Sequence, residues 1–168
     1  MFKRILVAVD QSKPAEHAIE VTVALATALR ASVSVVHVVD SNAAFVSEAA
    51  AMDQITLGAM RRDGWRALEN AFGRIPPFLQ PERVFLEGDP AECIVAMAKE
   101  RDAALIVIGS HSRGRLANFL LGSTADAVIR KAPCPVVSVR AAAEGEALSF
   151  APSISQTQVH DVTETVTS

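Results

Sequence analysis

Two short segments of small and polar residues could bind an anion. Segment 109–114, Gly-Ser-His-Ser-Arg-Gly, follows a β-branched run, and its small residues allow the backbone N–H groups to approach a ligand closely. Segment 122–124, Gly-Ser-Thr, opens a helical stretch in which Ser123 and Asp126 have N-cap spacing. The free N–H groups of a first helical turn attract phosphate. Turns and tight helix packing also need glycine, so the pattern leaves both interpretations open.

A few charged and polar side chains lie near these segments or at another strand end. Asp10 ends the first apolar run and is either a ligand-binding residue or a turn and cap residue. His111 could approach a phosphate, while Arg113 and Arg115 are either phosphate clamps or solvated loop charges. His37 lies inside a predicted strand, where a packed, hydrogen-bonded histidine is expected.

The sequence offers little for catalysis. It contains no Gly-x-Ser-x-Gly nucleophile elbow and no Walker A lysine and serine pair. No cluster of carboxylates provides a site for two metal ions. We therefore expect no catalytic residues and no resident metal, and any Mg²⁺ would arrive bound to a nucleotide.

The elements that must position these residues alternate between strand and helix. Continuous apolar runs such as Ile5 to Val9 are typical of strands covered on both faces, as in a parallel sheet. Asp89, Pro90 and Glu92 have the spacing of a helix N-terminus with a capping box. The predicted strands are 4–9, 32–39, 83–86, 105–108 and 136–139, and the predicted helices are 15–29, 48–72, 91–99 and 124–131. This alternation predicts one doubly wound, Rossmann-like α/β domain.

Composition narrows the class of protein. The 168 residues are 50% hydrophobic, which suits one core, and residues 1–140 carry sixteen basic against fifteen acidic side chains. That balance argues against nucleic-acid binding. The two cysteines, Cys93 and Cys134, form no disulfide framework or zinc motif, and no segment is long and apolar enough for a membrane span, so we expect a cytoplasmic protein. Residues 141–168 are acidic and rich in Ser and Thr, and we expect a flexible tail there, with an added edge strand as the alternative.

Several motifs in order resemble the universal stress protein family. Gly109-Ser-His-Ser112, nine residues, then Gly122-Ser123 is similar to the family's Gly-x-x-Gly, nine residues, Gly-Ser/Thr signature. The first strand with Asp10, the triplet 36–38 (Val-His-Val), the run 87–90 (Glu-Gly-Asp-Pro) and the run 132–136 (Ala-Pro-Cys-Pro-Val) follow in the family's order. The resemblance covers residues 1–140.

The resemblance implies a five-stranded parallel sheet in the order 3-2-1-4-5 and a homodimer formed partly through the last strand. In one branch of the family it also implies bound ATP without demanding chemistry. We therefore expect a regulatory stress-response protein with little or no turnover, and a regulatory protein partner that the sequence does not identify. Val38 would contact adenine through its backbone, and Asp10 would lie by the ribose and phosphates. By position, the remaining nucleotide-binding residues would be Ala8, Val9, Ile108, Gly109, His111, Ser112, Arg113, Gly114, Gly122, Ser123 and Thr124.

One position departs from the family signature, because Ser112 replaces its second glycine. If that backbone needs a positive φ, serine costs about 1 kcal/mol and narrows the site. If the φ is ordinary, the serine hydroxyl could donate to a phosphate. The first case favours an alternative function, a stress-response dimerisation module with a vestigial pocket.

Overall fold

A computed structural model of the chain describes residues 4–40, 54–110 and 123–140. Strands and helices alternate along these ranges, with one short 3-10 helix, Pro77–Leu79, before the third strand. The strands are β1 (Arg4–Ala8), β2 (Ser32–Asp40), β3 (Glu82–Gly88), β4 (Leu105–Ser110) and β5 (Val136–Arg140). The helices are α1 (Lys13–Leu29), α2 (Gln54–Gly73), α3 (Pro90–Glu100) and α4 (Ser123–Lys131).

The five strands form one parallel sheet in the order β3-β2-β1-β4-β5, which confirms the predicted topology. The carboxyl ends of all five strands therefore lie along one edge. Each helix follows a strand and returns the chain to the opposite edge, so each helix begins at the carboxyl edge. This geometry brings the ends of β1 and β4, two neighbouring strands, to the position where ligands bind in such sheets.

Apolar side chains cover the sheet on both faces. Alternate strand residues such as Val7, Val35 and Val107 pack with α1 and α2, whereas Leu6, Val36 and Ile106 pack with α3 and α4. We call these the α1/α2 face and the α3/α4 face. Their side chains explain why β1 and β4 read as continuous apolar runs rather than as alternating ones.

The helix boundaries follow from local chemistry. Asp89 caps α3 by accepting a hydrogen bond from the Glu92 N–H at 2.8 Å, as its spacing predicted. Ser12 caps α1 and accepts from the Ala15 N–H at 3.3 Å, with proline in the first turn. Helix α2 ends at Gly73, one residue beyond the predicted bound, and its predicted start at Glu48 lies outside the described residues.

Three sequence expectations need correction. Strand β3 runs to Gly88 rather than to Leu86, because Glu87 and Gly88 pair with the end of β2. Gly73 and the pair Pro76-Pro77 predict a linker before the third strand, and this linker includes a 3-10 helix that the sequence did not predict. The position of Cys93 on one helix face with Ile94 and Met97 predicts a core residue, but Cys93 is only partly buried and its sulfur lies 3.8 Å from the Glu87 carbonyl oxygen.

Candidate nucleotide site at the carboxyl edge

Three of the predicted site residues share one face of the sheet at its carboxyl edge. Ala8 of β1 and Ile108 of β4 are register partners, and both are buried in the core of the α3/α4 face. Val38, near the end of β2, is partly buried against the same core. These side chains form an apolar floor across three adjacent strands.

Helix α4 begins over this same face. Ser123, its first residue, is exposed and Thr124 is half-buried, while Ala125 and Val128 pack into the core beneath them. The Asp126 carboxylate accepts a hydrogen bond from Arg130 one turn later. The first-turn N–H groups of α4, with the positive end of its dipole, therefore lie on the α3/α4 face at the carboxyl edge.

Asp10 lies in the turn that joins β1 to α1. One of its carboxylate oxygens, Oδ1, accepts a hydrogen bond from the Ser12 N–H at 2.9 Å and another from the Ser12 hydroxyl. Ser12 in turn caps α1. The turn role that the sequence allowed for Asp10 is thus present, and the side chain is exposed to solvent at the carboxyl edge.

Gly109 has a packing reason to be glycine. A β-carbon on Gly109 would lie 2.8 Å from both the Ala15 nitrogen and the Pro14 carbonyl carbon, which are backbone atoms at the start of α1. The α1 helix therefore rests directly on the Gly109 backbone. Gly109 belongs to the α1/α2 face at this point, opposite the face that carries Ala8 and Ile108.

The remaining predicted site residues belong to the segment between β4 and α4. His111, Ser112, Arg113, Gly114, Arg115 and Gly122 all lie outside the described residues. Both ends of that segment are described, since Ser110 ends β4 and Ser123 begins α4. Both of these described residues lie at the carboxyl edge.

Sequence reasoning missed a set of contacts that helix α2 makes at this edge. The Gln11 side-chain amide donates to the Asp63 carbonyl oxygen at 3.0 Å, and Gly64 packs against the His37 ring. Trp65 stacks on Phe85 with ring centroids 4.6 Å apart, although 47% of Trp65 stays exposed. A glycine in the middle of a helical pattern was the available signal, because glycine there weakens a helix unless packing requires it.

An ion pair also connects α2 to the carboxyl end of β3. The Arg61 guanidinium donates two hydrogen bonds to the Glu87 carboxylate, at 2.7 and 2.8 Å. These bonds lower the pKa of Glu87 and raise that of Arg61. Glu87 is therefore engaged by α2 and is a poor candidate for a catalytic base.

The two thiols lack the environment of reactive cysteines. Burial raises the pKa of both Cys93 and Cys134, and the nearby Asp89 and Glu92 carboxylates raise the pKa of Cys93 further. Both thiols therefore stay protonated near neutral pH. Within the described ranges no group of three or more His, Cys, Asp or Glu side chains could hold a metal ion.

A groove of about 570 Å³ lies away from the carboxyl-edge residues. Helix α1 and Arg74 line it, and two of the lining residues, Arg74 and Glu20, form an ion pair at 2.8 Å. None of the predicted site residues contributes to this groove. The candidate site is instead the carboxyl edge, where the strand ends and the start of α4 bring an apolar surface and first-turn N–H groups together. The groove is large but lacks this combination of groups.

A family model for the universal stress protein family matches residues 1–140. The chain belongs to the universal stress protein family. A universal stress protein of Bacillus subtilis is 32% identical over 149 residues, which cover 83% of this chain and all of the relative. A universal stress protein of Thermus aquaticus is 34% identical over 140 residues with the same coverage.

Solved structures of this family share the fold. UspA from Lactobacillus plantarum superposes with a TM-score of 0.67 at 25% identity, covering 83% of this chain and 98% of the other. A universal stress protein from Archaeoglobus fulgidus, solved in complex with dAMP, gives a TM-score of 0.57 at 26% identity and covers 83% and 99%. No helix within the described ranges is long and apolar enough to cross a membrane.

Proposed function

We propose that this universal stress protein binds ATP at the carboxyl edge of its sheet and acts as a regulatory stress-response protein with little or no turnover. The observation that carries the proposal is the convergence of Ala8, Val38 and Ile108 with the start of α4 on one face. An apolar floor suits a purine, and a helix N-terminus suits phosphates. The dAMP complex of the Archaeoglobus relative supports an adenine nucleotide as the ligand class.

Within this proposal, the remaining predicted residues surround the nucleotide. Ala8 and Val9 flank the adenosine, and Asp10 lies by the ribose and phosphates. Gly109 leads into the loop whose His111, Ser112, Arg113 and Gly114 approach the phosphates. Gly122, Ser123 and Thr124 hold the terminal phosphates, and any Mg²⁺ comes with the nucleotide. Residues 1–140 form the binding unit, residues 141–168 remain a flexible appendage, and the protein works in the cytoplasm with a regulatory partner protein.

The decisive test places a negative charge where the phosphates are proposed to lie. Nucleotide-stripped protein is titrated with ATP and Mg²⁺ by calorimetry, alongside Ser123→Glu. Glutamate in the first turn favours the helix dipole, so the fold is retained, yet it repels phosphate. We expect wild-type binding with a dissociation constant on the order of micromolar and at least about tenfold weaker binding by Ser123→Glu.

Ile129→Glu is the matched control. Ile129 is an exposed residue of the same helix, about 9 Å further along its axis, so the variant adds the same charge away from the helix start. Equal losses in both variants would contradict phosphate binding at Ser123. Absence of binding by folded wild-type protein would favour the second function, a dimerisation module with a vestigial pocket. The replacement of the family's second glycine by Ser112 is the sequence feature that supports this alternative.

We also propose a homodimer formed partly through β5. This strand lies at the edge of the sheet, and Val136, Val137 and Ser138 are only partly buried. The Ile106 N–H donates to the Pro135 carbonyl at 3.0 Å. In a parallel pair, backbone groups point alternately to the two sides of a strand, so those of Val136 and Ser138 point away from β4.

Ser138→Pro is expected to convert the dimer to a monomer in sedimentation velocity, while Ser138→Ala stays dimeric. Proline removes the outward N–H and is tolerated on an edge strand. The buried Ser138 hydroxyl has no hydrogen-bond partner within the described residues, so neither variant loses a side-chain hydrogen bond. A Ser138→Pro protein that remained a dimer would contradict association through the β5 edge.

A further inference from the structure

His37 makes an unusual connection between two strands. Its Nδ1 lies 2.8 Å from the carbonyl oxygen of Val9, the residue that follows β1. A carbonyl oxygen only accepts, so Nδ1 carries the hydrogen and donates it. The Val9 N–H donates to the Val36 carbonyl at 2.9 Å. Consecutive residues of β2 therefore fix both polar groups of the Val9 backbone.

This connection matters because the backbone ladder between β1 and β2 pairs its last residues at Ala8 and Val36. At Val9, one step later, the His37 side chain takes the place of a backbone donor. The same peptide group, Val9 to Asp10, contributes the Asp10 N–H. The orientation of this peptide group therefore sets the direction in which the Asp10 side chain leaves the backbone. The Asp10 carboxylate then accepts a hydrogen bond from the Ser12 N–H at 2.9 Å.

Helix α2 holds the imidazole ring in place. A β-carbon on Gly64 would lie 2.5 Å from Nε2 and 2.6 Å from Cδ2 of His37, so only glycine lets the helix approach this closely. The Phe85 ring lies near the imidazole with centroids 5.8 Å apart. One residue before Gly64, the Asp63 carbonyl accepts the hydrogen bond from Gln11, inside the same turn as Asp10.

We propose that His37 is a positioning residue for the nucleotide site: through its hydrogen bond to the Val9 carbonyl it orients the turn that presents Asp10 to the ligand. This inference rests on the proposed ATP function. Glycine at position 64 allows α2 to pack closely against the imidazole ring and hold it in place. His37 itself does not touch the ligand in this arrangement.

Two variants separate the hydrogen bond from packing. His37→Phe keeps an aromatic ring between Gly64 and Phe85 but removes the donor. His37→Asn loses the ring but keeps an N–H donor close to the Nδ1 position. ATP dissociation constants are measured by calorimetry at a temperature where urea unfolding shows each variant to be folded.

We expect His37→Phe to weaken ATP binding about tenfold, the effect of one lost hydrogen bond, and His37→Asn to stay within about threefold of wild type. A role in packing alone gives the reverse order, because the asparagine variant loses more contacts. Unchanged affinity in His37→Phe, or equal losses in both variants, would overturn the proposal.

A second readout needs no ligand. The amide ¹⁵N shift of Asp10 reports on the hydrogen bond to the Val9 carbonyl, because both belong to one peptide group. In ligand-free protein we expect it to move in His37→Phe and to remain near the wild-type value in His37→Asn. If wild-type protein fails to bind ATP, the proposed function fails, and this shift still decides whether His37 orients the turn. An Asp10 amide unmoved in His37→Phe would overturn the positioning role.

Discussion

Gly109→Ala is expected to lower the free energy of unfolding by about 2 kcal/mol, the usual effect of overpacking a close contact. The new β-carbon would lie 2.8 Å from the Ala15 nitrogen and the Pro14 carbonyl carbon. These are backbone atoms of a capped helix start, so they cannot rotate away as a flexible side chain would. Either α1 moves away from β4 or the strand end distorts. Urea unfolding followed by circular dichroism measures the change.

Gly73→Ala is the matched control for this prediction. A β-carbon on Gly73, at the end of α2, meets nothing within 4 Å, so its unfolding free energy should stay within about 0.5 kcal/mol of wild type. ATP affinity adds a second distinction. A Gly109→Ala protein of unchanged stability but weaker ATP binding would show that this glycine serves the ligand rather than the packing of α1.

Leu68→Ala is expected to cost about 3 kcal/mol, the range found for a buried leucine replaced by alanine. Leu68 is fully buried in the α1/α2 face and is a main anchor of α2 on the sheet. Its truncation removes apolar contacts and leaves a cavity between helix and strands. The same helix supplies Asp63 and Gly64 to the carboxyl edge, so a loosened α2 should also weaken ATP binding under the proposed function.

Phe78→Ala tests whether burial rather than residue size causes that loss. It removes more atoms than Leu68→Ala, yet Phe78 is 70% exposed on the 3-10 helix. We expect its unfolding free energy to stay within about 0.5 kcal/mol of wild type. Similar losses for the two variants would mean that Phe78 is covered in solution and that the cost at Leu68 does not come from core packing alone.

The sequence alone determined the fold class, the family and most element positions. Runs such as Ile5 to Val9 are continuous and apolar because both faces of a parallel sheet are covered, so the pattern indicates a buried strand without any knowledge of the tertiary structure. The N-cap of α3 at Asp89 and the end of α2 at Gly73 are also determined locally, since each depends on residues within one helical turn. The strand order came from the family resemblance rather than from any of these patterns.

Only the tertiary structure decided what individual residues do across the sheet. Sequence predicted a hydrogen-bonded His37, which is confirmed, but its partner is Val9, 28 positions away and reached only once β1 and β2 pair. For Gly109 the sequence left ligand approach and tight helix packing both open, and its contact with Pro14 and Ala15 appears only when α1 packs on β4. The sequence predicted no role for Gly64, and its contact with the His37 ring is seen only in the packed structure. Local patterns report the conformation of a segment, whereas the distance between atoms on different segments is set by packing, and packing assigns these residues their roles.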